Sequence, residues 1–129
     1  MIDLKILVRA FIVGTVLQLV LVGLCHVSPW IMLHAFMFAG MMISATAAYL
    51  YAMDSGRGYF PGATAGAVIG GACGFIGLVI MVALRDNRQI VIPWGTAICV
   101  LTGAVGGIFG QMAANLRAID RENRKRREE

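Results

Sequence analysis

Five residues of this sequence have the chemistry to hold a soft metal or a haem. Cys25 and His26 are adjacent, and His34, Met37 and Met41 follow at the i, i+3 and i+7 spacing of one helix face. Thiol, thioether and imidazole suit Cu(I), and imidazole alone can ligate haem iron. Against this, no Cys-x-x-Cys pair accompanies them, and the 8 methionines of so apolar a chain are ordinary packing residues. The expectation is that these five side chains pack at a lipid interface and that no cofactor is bound; metal or haem binding is the alternative. Cys25, Cys73 and Cys99 are far apart in sequence and read as small buried residues, not a disulfide framework. No nucleophile–base arrangement and no glycine pattern of a dinucleotide or phosphate loop occurs, so the chain is read as non-enzymatic.

The elements that position these residues follow from the charges. Of 129 residues 59% are hydrophobic and 14% charged, against about 25% charged in an average soluble domain. Mean hydropathy is +0.79. No charged residue falls within 10–53, 58–84 or 89–116. A helix needs about 20 mostly apolar residues to cross the hydrocarbon, and only helices or closed barrels satisfy their backbone hydrogen bonds there. The runs lack the alternation of strands. The first is long enough for two crossings and is divided by Ser28-Pro29, where proline suits a first helical turn and serine can cap. The fold class expected is all-α: a polytopic integral membrane protein of four antiparallel helices, roughly Ile6–His26, Pro29–Met53, Pro61–Leu84 and Ile92–Leu116. Residues 1–116 form the membrane domain and 117–129 a charged tail. The first helix is expected to be retained, because no small-x-small cleavage site follows its apolar run.

Glycine is patterned. Gly62, Gly66, Gly70 and Gly74 recur every four residues, as do Gly95, Cys99, Gly103 and Gly107, with Gly106 and Gly110 beside them. Residues four apart share a helix face. In lipid, small residues let helix backbones approach, and van der Waals contact replaces the missing hydrophobic drive. The third and fourth helices are therefore expected to pack through these stripes, within one chain or between copies.

Lys5, Arg9, Arg57 and six tail cations would share one side of the membrane, leaving Arg85 and Arg88 on the other. Basic residues favour the cytoplasmic side, so both termini are expected there. Trp30, Trp94, Tyr49, Tyr51 and Tyr59 lie near span boundaries, where amphipathic rings prefer the headgroup zone. Val27-Ser28-Pro29-Trp30 and Val91-Ile92-Pro93-Trp94 resemble each other, and a shared helix-start signal explains that without duplication.

No Asp, Glu, Lys or Arg lies deep in a span, which argues against a carboxylate-dependent pump. Gln18, Gln111 and Asn115 are the candidate polar packing or pore residues, with Ser44, Thr46, Thr64, Thr96 and Thr102 as lesser ones. The tail should extend the last helix, with Asp120–Arg124 and Glu122–Arg126 as i,i+4 pairs. Its cluster Arg124, Lys125, Arg126 and Arg127 is expected to meet anionic lipid headgroups, not nucleic acid. The expected function is that of a small bacterial inner-membrane protein that oligomerises or joins a larger complex as a passive pore or an accessory subunit. A half-size transporter completed by dimerisation is a further alternative.

Overall fold

The structure is a computed structural model that describes residues 4–84 and 90–128, apart from the side chain at position 33. The segment Arg85-Asp86-Asn87-Arg88-Gln89, expected to form a hairpin tip, lies outside the described residues. Five helices follow in order: α1 (Leu4–Val27), α2 (Pro29–His34), α3 (Phe36–Ser55), α4 (Tyr59–Ala83) and α5 (Val91–Glu128). The described fold is all-helical, and α1, α3, α4 and α5 are each long and apolar enough to cross a membrane.

Three local features correct the sequence reading. The helix expected over Pro29–Met53 breaks at Ala35, whose φ of −114° departs from helical values. No proline or glycine marks the spot; the offset goes with tertiary packing. It turns Phe36 inward onto Leu21, Val22, Cys25, Leu78 and Met81. Ser28 starts α2 without a side-chain cap, its carbonyl accepting from Met32 N–H at 3.2 Å instead. Tyr51, expected near the headgroups, is buried at 1% exposure among Ala47, Ala65, Ile69 and Cys73. Its phenol ring fills space that the surrounding alanines leave open.

The ends of α3 and α4 are set by glycine. Gly56 closes α3 in the left-handed region at φ 56°, donating to the Ala52 carbonyl at 3.0 Å. Gly58, at φ 113°, precedes α4, and Pro61 falls in the first turn, where a missing N–H costs nothing. The 38 residues of α5 continue without interruption to Glu128. At 1.5 Å per residue that is about 57 Å, well beyond a hydrocarbon core of about 30 Å.

Helices α3 and α4 form the middle of the bundle. α5 packs against both, and α1 packs against both without touching α5 among the described residues. The outward surface is apolar: Ile12, Val16, Val20, Phe38, Val68, Leu101 and Phe109 all point away from the bundle. Such a continuous exposed belt is what a lipid-facing surface requires and what a water-facing one avoids.

Candidate functional site: glycine seams, a polar latch and an apolar cavity

Helices α4 and α5 approach to backbone contact. A Cβ placed on Gly62 would stand 3.0 Å from the Gly107 carbonyl oxygen, and one on Gly70 would stand 2.6 Å from that of Cys99. One on Gly66 would run into the carbonyl of Gly103, and one on Gly103 would meet the Cα of Gly70 at 3.0 Å. Farther along, Gly74 faces the Cys99 side chain at 2.6 Å, and Gly95 faces Leu78 at 2.7 Å. Residue numbers fall along α5 as they rise along α4. At Gly66, Gly70 and Gly103 the obstacle is opposing backbone, which leaves room only for hydrogen, whereas at Gly74 and Gly95 it is a side chain.

A second seam was not legible as a separate feature. On α5, Gly106 lies against the Ala45 carbonyl and Gly110 against that of Tyr49, with a Cβ on Gly110 only 2.9 Å from the Ala52 side chain. The two pairs of α5 glycines, three residues out of phase, thus serve different neighbours: 103 and 107 meet α4, while 106 and 110 meet α3. The sequence signal was present in the doubled spacing, but it does not say which helix each row faces. Gly14 of α1 was also missed; it admits Ala47 and the Cys73 thiol, each 2.9 Å from where its Cβ would be.

Most of the span hydroxyls pair with backbone, whereas Thr96 Oγ1 is buried without a hydrogen-bond partner among the described residues. Thr46, Thr64 and Thr102 donate to carbonyls four residues back, at 2.7, 3.0 and 3.0 Å, and Ser44 crosses from α3 to the Gly70 carbonyl of α4 at 3.3 Å. Gln111 is 2% exposed. Its Oε1 accepts from Gly58 N–H at 3.0 Å, and its Nε2 donates to Asn115 Oδ1 at 2.9 Å. Asn115 Nδ2 in turn donates to the Tyr59 hydroxyl at 3.2 Å. This latch pins the α3–α4 turn to α5. It satisfies one of the N–H groups that every helix start leaves without an intrahelical partner.

At the other end of the bundle lies a cavity of about 580 Å³, lined by all five helices. Its walls include Phe36, Met37, Met41, Trp94 and Ile98, with Gln18 of α1 at the depth of the bundle's middle. Gln18 is 1% exposed, and its Oε1 has no hydrogen-bond partner among the described residues. It lies between two glycines: a Cβ on Gly40 would be 3.4 Å from its Nε2, and one on Gly77 only 2.9 Å from the same atom.

The five soft-ligand residues do not converge. His34, Met37 and Met41 line the cavity, whereas Cys25 and His26 do not. Cys25 is in the core at 2% exposure, and His26 is exposed. His34 stacks on Trp30 with ring centroids 5.1 Å apart, and its Nδ1 donates to the Trp30 carbonyl at 3.1 Å. Among the described residues no group of three or more His, Cys, Asp or Glu is placed to hold a metal ion.

The end of α5 is solvent-exposed from Leu116 to Glu128. Arg126 pairs with Glu122 at 2.8 Å and Arg124 with Asp120 at 3.8 Å, all well exposed. Exposed pairs of this kind contribute about 0.3–0.5 kcal/mol each and serve to keep the extension helical. Comparison with known protein families, with curated proteins and with solved structures finds no match to this chain.

Proposed function

We propose that this chain is a non-enzymatic accessory or assembly subunit of a larger complex in a bacterial inner membrane. Its four long helices cross the bilayer antiparallel, with both termini in the cytoplasm. The observation that carries the reading is the reciprocal approach of Gly62, Gly66 and Gly70 to Gly107, Gly103 and Cys99. Small-residue stripes used inside one chain favour a rigid, self-contained bundle over a ring of copies joined through those stripes. The polar groups of the spans support the same reading, because Ser44, Gln111 and Asn115 join helix to helix. The apolar outer faces of α1 and α5 are then free for lipid and for larger membrane partners. Drawn from its own membrane in a mild detergent, the chain should come out with another integral membrane protein in fixed ratio. Emergence alone at monomer mass, or steady ion conductance when the purified chain is placed in liposomes, would contradict the proposal.

The tail supplies the surface contact. Arg124, Lys125, Arg126 and Arg127 lie together on an exposed helix end, and each basic residue near an anionic leaflet is worth about 1 kcal/mol. A spin label at Glu128→Cys should be slowed in vesicles containing phosphatidylglycerol and mobile in phosphatidylcholine alone. Replacing the four cations with glutamine should make the label equally mobile in both. An unchanged difference between the two lipids would rule the contact out.

A further inference from the structure

We infer that the cavity lined by all five helices is a binding site for a lipophilic alcohol or phenol, whose hydroxyl pairs with Gln18 while its apolar body fills the space toward Trp94. The inference rests on the reading of the chain as membrane-embedded.

Two independent observations converge on it. The first is the space. About 580 Å³ lies within the range of small-molecule sites, and its walls are almost wholly apolar and aromatic. The second is the chemistry at its depth. A carboxamide that is 1% exposed with an unpartnered Oε1 is costly in hydrocarbon, because burying an amide oxygen without a hydrogen bond costs about 1–3 kcal/mol. Such orphans persist in native proteins where a water or a ligand completes them. The chain also makes room for this side chain at Gly77, where a Cβ would stand 2.9 Å from its Nε2 and push it aside, while Gly40 lies in ordinary contact with it.

The ligand class follows from the amide. Rotating a carboxamide about its last bond exchanges oxygen and nitrogen at nearly equal shape. A hydroxyl both donates and accepts, so it pairs with whichever edge faces the cavity. A carboxylate or ammonium would find no Asp, Glu, Lys or Arg in the lining, where the one imidazole is that of His34. An alkane or an acyl chain fits the walls but leaves Gln18 as it was. Access is from the end marked by Trp94 and His34, and His34 keeps its Nδ1 on the Trp30 carbonyl. The site is therefore an apolar well with the Gln18 amide within it and the His34 ring at its mouth.

The test uses the full chain in lipid nanodiscs with a long-chain alcohol carrying a photoreactive diazirine. After illumination, mass spectrometry should place the label on Met37, Met41 and Ile98. Dodecanol should compete it away and dodecane should not. Gln18→Leu should weaken the competition by dodecanol about tenfold, the factor expected for one lost hydrogen bond. Ile98→Trp, which fills the well without touching the amide, should abolish the labelling in a chain that remains folded, so the test does not depend on the Gln18 variant folding. Label spread over the outward residues Leu19, Phe38 and Leu101 without competition would overturn the site. Equal competition by dodecane would show that an acyl chain is the occupant and would also overturn it. A chain that fails to enter nanodiscs at all would overturn the membrane reading first, an outcome distinct from incorporation without saturable labelling.

Discussion

Gly103→Leu should strongly destabilise the bundle, whereas Gly23→Leu should leave its stability nearly unchanged. The two substitutions are chemically identical and both lie in apolar helices, so the difference isolates the contact. At Gly103 a Cβ would run into the Gly66 carbonyl and stand 3.0 Å from the Gly70 Cα, and at Gly23 it meets nothing within 4 Å. The obstacle at Gly103 is backbone on the opposing helix, which cannot swing aside as a side chain can. Overpacking a core typically costs about 1–3 kcal/mol and occasionally more. Here α4 and α5 must separate along the whole seam, so a cost of at least about 3 kcal/mol is expected, a large share of a usual 5–15 kcal/mol. The sign is informative as well. Replacing glycine by leucine inside a helix should gain up to about 1 kcal/mol of propensity measured in water, so destabilisation at Gly103 must come from the seam. Circular dichroism during denaturing-detergent titration, run on both variants, measures the contrast. Equal midpoints would remove the seam from the account.

Gln111→Leu should be the most disruptive polar substitution, by about 1–3 kcal/mol. The leucine matches the apolar surroundings, but the Gly58 N–H loses its acceptor and Asn115 Oδ1 loses its donor. Gly58 holds a φ of 113°, a conformation other residues rarely adopt, so the turn has no ready alternative geometry in which to re-pair that N–H. Local opening of the α3–α4 turn is expected before global unfolding. Hydrogen exchange at the Gly58 amide should accelerate, together with a lower unfolding midpoint. An amide that exchanges as slowly as before would mean the latch is incidental.

How much of this was legible in the sequence depends on which physical rule governs each feature. Hydrocarbon thickness imposes a length and an absence of charge, and both can be read off directly, so α1, α4 and the spanning part of α5 appear close to their expected positions. The helical extension past Leu116 was equally readable from Asp120–Arg124 and Glu122–Arg126, because i,i+4 pairing is local. The break at Ala35 was not, since its counterpart is the burial of Phe36 against residues distant in sequence. The burial of Tyr51 was not legible for a similar reason: its type suits a span boundary, and whether its ring faces lipid or the core depends on residues distant in sequence. The glycine rows announced close packing. They could not announce that one helix uses two rows for two neighbours, because helical periodicity fixes which residues share a face and not what that face meets. The apolar well and the unpaired oxygen of Gln18 arise from tertiary packing, which helical periodicity does not describe.

The most direct test of the account is the placement of the two ends of the chain. With Cys25, Cys73 and Cys99 buried, cysteines introduced singly as Lys5→Cys and Glu128→Cys can be labelled with a membrane-impermeant maleimide. The account predicts that in intact cells neither reacts, and that in inverted membrane vesicles both do. Reaction of one end in intact cells and the other only in inverted vesicles would require an odd number of crossings, and the four-span architecture would fall.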